Sequence, residues 1–96
     1  MSEEILSSEE LVVAVKRCPE WDVENEMLVR GWEFETFEES MEFVNTVADV
    51  AEEAFHHPDI LIRYNKVKLT LVTHEIGGIT AADLEMAVRI DNAVDT

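Results

Sequence analysis

The spacing of apolar residues changes period along this sequence. Between Phe37 and Phe55 apolar residues recur as on one side of a helix, while the flanking stretches alternate with a period of two. The helical stripe is Phe37, Met41, Val44, Val47, Ala48, Ala51, Ala54 and Phe55, opposite Glu38, Glu39, Glu42, Asn45, Asp49 and Glu53. Thr36 and Glu39 have capping-box spacing at its start. His56-His57-Pro58 ends it, because the residue before a proline is pushed out of the helical region.

Upstream, residues 21–24 and 27–34 read as a hairpin. Leu28, Arg30, Trp32 and Phe34 fall on one face, and Met27, Val29, Gly31 and Glu33 on the other. Downstream, residues 60–64 and 67–73 read as a second hairpin turning at Asn65-Lys66. Ser7 with Glu10 opens a first helix carrying Leu11, Val12 and Val15, which stops before Pro19. Gly77-Gly78 suits a tight turn, after which Thr80 with Asp83 opens a third helix bearing Leu84, Ala87, Val88 and Ile90. The order α-β-β-α-β-β-α predicts an α+β, two-layer sandwich, a four-stranded antiparallel sheet with its helices on one face. With 96 residues and no linker or low-complexity stretch, residues 1–96 read as a single domain.

Charge narrows the partners. Twenty-two acids against seven bases give a net charge of −15, so a polyanion would be repelled, and neither nucleic acid nor an anionic membrane is expected. No apolar run approaches the roughly 20 residues of a membrane span, and no signal peptide is read at the start. The single cysteine, Cys18, excludes an internal disulfide framework and fits a reducing cytoplasm.

The three histidines, His56, His57 and His74, are the chemistry-bearing residues. Two leave a long helix together and the third sits at a strand end leading into the glycine turn, both positions at the rim of a sheet. Imidazole suits proton transfer near neutral pH, and a hydrogen-bonded carboxylate orients it. Glu52, Asp59, Glu75 and Asp83 are near in sequence. A zinc site is the competing sharp reading, but no His-x-x-x-His or His-Glu-x-x-His spacing occurs, so no metal is expected. No Gly-x-Ser-x-Gly, P-loop or Gly-x-Gly-x-x-Gly is present. Trp21 and Trp32 read as core or sheet-face residues, with Trp21 a stacking candidate if the ligand is a flat heteroaromatic ring.

The strings Ala51-Glu52-Glu53-Ala54-Phe55-His56-His57-Pro58-Asp59, Tyr64-Asn65-Lys66-Val67, Leu71-Val72-Thr73-His74-Glu75 and Gly78-Ile79-Thr80 with Asp83 together resemble the pterin-4a-carbinolamine dehydratases. The similarity runs from about Trp21 to Ile90. It implies a hydro-lyase that dehydrates 4a-hydroxytetrahydropterin to quinonoid dihydropterin in pterin recycling, with no metal or organic cofactor. It implies His56, His57 and His74 as the catalytic set and Glu52 and Asp83 as orienting carboxylates. Substrate contacts would fall at His56, His57, Pro58, Thr73, His74, Glu75 and Ile76, with Trp21 near the pterin. It also implies a homodimer, or a homotetramer made of two dimers. Trp32, where phenylalanine is commoner, and the strong acidity depart from many relatives, and neither touches the histidines. The alternative is a non-catalytic module that keeps the fold as a binding or assembly partner.

Overall fold

A computed structural model describes residues 4–94. The elements are helix α1 (Ser8–Ala14) running into a 3-10 turn (Val15–Arg17), strands β1 (Asp22–Glu24) and β2 (Met27–Glu33), helix α2 (Phe37–Ala54), strands β3 (Asp59–Arg63) and β4 (Lys66–Leu71), and helix α3 (Ala81–Val94). The strands form one antiparallel sheet in the order β1-β2-β4-β3. This is the predicted α+β order. Among the described residues no helix is long and apolar enough to cross a membrane.

Local chemistry sets each boundary. Ser7 with Glu10 and Thr36 with Glu39 form reciprocal capping boxes, fixing the starts of α1 and α2. The first hairpin turns through Asn25 and Glu26, both at positive φ, which matches the twist of the strands it joins. The second turns one residue earlier than expected. Arg63 pairs with Lys66, so Tyr64 and Asn65 make the turn, with Tyr64 at φ 54°.

The core lies between the sheet and its helices. Leu28, Val67, Leu69 and Leu71 from the sheet meet Phe43, Val47 and Ala51 of α2 and Leu84, Met86, Ala87 and Ile90 of α3. The face of α2 turned inward is therefore not centred on the expected stripe. Ser40, Phe43, Val47 and Ala51 are buried, whereas Phe37, Ala48 and Phe55 are exposed. Apolar residues cover more than one side of this helix, and docking on the sheet, not periodicity, selects the buried one. The opposite face of the sheet stays open, with Gly31, Glu33, Lys66 and Lys68 lining a trough of about 550 Å³.

Candidate active site

The end of α2 delivers the first two histidines. Phe55 caps the helix in the left-handed conformation, φ 53° and ψ 36°, and the His56 N–H donates to the Ala51 carbonyl at 3.3 Å. The chain thereby leaves the helix axis, and Pro58 leads it into β3. Beyond β4, residues 73–78 form a turn. The Ile76 and Gly77 N–H groups donate to the Thr73 carbonyl, the Thr73 N–H donates to the Gly78 carbonyl at 3.0 Å, and Gly77 takes φ 71°. His74 lies in this turn, past the last residue of the strand.

Each imidazole has its own carboxylate. His56 Nε2 lies 2.5 Å from Asp83 Oδ1, and His57 Nε2 lies 2.6 Å from Glu52 Oε2. His74 Nε2 is 3.7 Å from Asp59 Oδ1, an ion-pair distance when the ring is charged and too long for a hydrogen bond. The three differ most in burial. The His57–Glu52 and His74–Asp59 pairs are exposed, whereas the Asp83 side chain has no exposed surface and His56 little.

Asp83 is the third residue of α3, where a carboxylate completes a helix N-terminus. Its Oδ2 accepts from the Thr80 N–H and from the Thr73 hydroxyl, both at 2.9 Å, and its Oδ1 faces His56. The Thr73 and Thr80 hydroxyls are 2.8 Å apart. One buried carboxylate thus ties together the α2 exit, the end of β4 and the start of α3. An ionised carboxylate can only accept, so the tautomer that suits this contact has the proton on His56 Nε2 and leaves Nδ1 for other chemistry.

The structure thus links His56, His57 and His74 along one rim. His56 and His57 are consecutive, Thr73 beside His74 reaches Asp83, and Asp59 joins the His74 turn to the start of β3. Glu52 and Asp83 each contact an imidazole, on His57 and His56 respectively. Pro58 is half-buried between the histidines and β3, and Glu75 and Ile76 are exposed in the turn. The histidines line neither the trough on the open sheet face nor a cavity of about 280 Å³ beside the glycine turn.

Trp21, which the family resemblance sets near the pterin, is buried. It is 3% exposed, its indole N–H donates to Asp91 Oδ1 at 2.9 Å, and its ring meets Trp32 edge-on at 5.8 Å. No ring face is open for stacking, so Trp21 is a core residue. Asp91 also pairs with Arg30 at 2.7 Å, across a sequence separation that gave no signal. Thr80 is a site partner that sequence reading did not assign, and Asp59 stood among the neighbouring carboxylates without being matched to His74. The three-residue spacing of Thr80 and Asp83 carried a hint of the first; nothing local marks Asp59 as a partner of His74. Cys18 is buried, and burial together with the Asp91 carboxylate pushes its thiol up from the ordinary value, which suits an inert thiol. Among the described residues no group of three or more His, Cys, Asp or Glu side chains could hold a metal ion.

A family model described as Pterin 4 alpha carbinolamine dehydratase matches residues 4–93. The chain belongs to this family. A Thermomicrobium roseum protein is 51% identical over 76 residues, covering 79% of this chain and 82% of its own. One from Chloroflexus aurantiacus is 44% identical, covering 90% of this chain and 92% of its own. Both carry the name "Putative pterin-4-alpha-carbinolamine dehydratase". The crystal structure of a transcriptional coactivator/pterin dehydratase from Brucella melitensis superposes with a TM-score of 0.87 at 29% identity, covering 94% of this chain and 98% of that one. A pterin dehydratase-like protein identified as a RuBisCO assembly factor in the alpha-carboxysome shares the fold, with a TM-score of 0.63 at 23% identity over 79% of this chain and 88% of its own.

Proposed function

We propose that this protein is a 4a-hydroxytetrahydropterin dehydratase working by histidine acid–base chemistry. The observation that carries the reading is the pairing of His56 with a fully buried carboxylate, Asp83, whose other oxygen is held by Thr73 and Thr80. A protein–substrate proton transfer needs an imidazole of fixed direction, and this network fixes one. Family membership supplies the substrate class.

Dehydration breaks the C4a–O bond while the N5 lone pair forms a C=N bond. Hydroxide is a poor leaving group, so an imidazolium protonates it as it departs, and a neutral base takes the N5 proton. Water and quinonoid dihydropterin result, with no net change in protons. His56 and His74 are the proton-transfer pair in this reading, and His57, oriented by Glu52, holds the ring. Pro58 and the turn residues Thr73, Glu75 and Ile76 border the bound pterin. Each positioned acid or base is worth about 10²–10⁴-fold.

The working form is a homodimer or a dimer of dimers in the cytoplasm. Support for assembly comes from the exposed apolar side chains Phe37 and Phe55 at the two ends of α2 and Ile60 and Leu61 on the edge strand β3. The other reading, a non-catalytic binding or assembly module of this fold, predicts a chain that does not accelerate dehydration. A stopped-flow assay with 4a-hydroxytetrahydropterin decides between them. The wild type should accelerate dehydration, and His74→Ala should lower kcat at least tenfold while staying folded. An inactive wild type rules out the dehydratase, and an unchanged His74→Ala rate removes His74 from proton transfer.

A further inference from the structure

The chain ahead of α1 lies against the turn that bears His74. The Leu6 N–H donates to the Ile79 carbonyl at 2.8 Å, so the backbone at 78–79 is held by Leu6 as well as by Thr73. The Ile5 side chain rests on Gly78. A Cβ at that glycine would come within 2.8, 2.9 and 3.1 Å of Ile5 Cδ1, Cγ1 and Cγ2. Ser7 then caps α1, which anchors the other end of the segment. From Ile79 the chain passes to Thr80, whose N–H bonds Asp83, and the Gly78 carbonyl accepts from the N–H of Thr73, whose hydroxyl bonds the same carboxylate.

We propose that residues 4–7 are a strap that positions the His74 turn and the donors on Asp83, with Ile5 and Gly78 as its contact pair. The catalytic consequence rests on the dehydratase reading above; the geometry does not. Gly78 has no positive φ, and the three atoms nearest to a Cβ placed there all belong to Ile5. The space beside the strap, about 280 Å³ lined in part by Leu6, Leu11, Val23 and Ile79, lets the strap lift when that contact is overfilled. Lifting it frees the Ile79 carbonyl and loosens the turn. Ile5, Leu6 and Gly78 are positioning residues and touch no substrate.

The test is a size swap. Gly78→Ala should lower kcat on the order of tenfold, the scale of a small misplacement of a reacting group. Amide hydrogen exchange at Thr73 and Gly77 should quicken while that of Leu69 in the core stays unchanged. Ile5→Ala should quicken the same two amides. In Ile5→Ala/Gly78→Ala the smaller side chain makes room for the methyl, and kcat should return most of the way. Wild-type kcat in Gly78→Ala, or a double variant no better than the single, overturns the strap. A wild type without dehydratase activity sinks the functional reading instead. The exchange measurement then decides the strap alone, and unchanged exchange at Thr73 and Gly77 in both single variants overturns it.

Discussion

A carboxylate with no exposed surface must find donors for its lone pairs, and Asp83 finds three: His56 Nε2, the Thr73 hydroxyl and the Thr80 N–H. An amide in its place turns one acceptor into a donor and sets N–H against N–H or O–H. Asp83→Asn should therefore cost about 1.5–3 kcal/mol of stability, the range for hydrogen bonds to a charged group. It should also lower kcat at least tenfold by misdirecting His56. Urea unfolding and the dehydration assay measure the two effects separately. A variant with wild-type stability would mean that water reaches the site and replaces the lost bonds. This residue was half legible in the sequence. The Thr80–Asp83 spacing marks a helix start, and that bond is local. The links from Asp83 to His56 and Thr73, from His74 to Asp59 and from Trp21 to Asp91 join distant segments, and only the fold creates them.

Helix α2 shows why elements are easier to read than their docking. Its start is written in Thr36 and Glu39, which bond each other across one turn, and its end in Pro58. Its buried side is a property of the sheet beneath it, so the expected stripe was off-centre. Its C-terminal cap holds a further cost. Phe55 occupies the left-handed region, unfavourable for a residue with a Cβ, and its side chain is 88% exposed. Phe55→Asn should raise the stability of the isolated subunit by about 1 kcal/mol, because Asn tolerates this conformation and no packing within the chain is lost. The urea midpoint reads this, with an unchanged slope. A fall instead would show that the ring is buried in the protein as it exists in solution, as in an assembly. At the other end of the chain, the Ser7 backbone and hydroxyl hold the Glu10 carboxyl below its ordinary value. A lowered folded value means the contribution of this cap is complete above the ordinary carboxylate range and is lost as pH falls through the lower value. A Glu10 side-chain NMR titration should place its midpoint below that of a free glutamate, and Ser7→Ala should move it back only part of the way, because the residue 7 backbone N–H remains.

At the scale of the molecule, charge and assembly act against each other. Each chain carries −15, so every step of the proposed association brings like charges together. The apolar groups available to offset this include Phe37, Phe55, Ile60 and Leu61, all partly or largely exposed. Surface repulsion reaches about 10 Å at 0.1 M salt and about 30 Å at 0.01 M, whereas apolar burial depends little on ionic strength over that range. Raising the salt should thus strengthen the proposed dimer or tetramer. Sedimentation velocity should show smaller species in low salt that convert to larger ones as salt is added. Acids such as Glu38 and Glu53 on the outer side of α2 would contribute most if that helix lies in the interface. Charge reduction should then mimic salt, so Glu38→Gln/Glu53→Gln should assemble at lower ionic strength than the wild type. Species distributions that ignore both salt and these substitutions would place the contacting surfaces away from α2 and its acids.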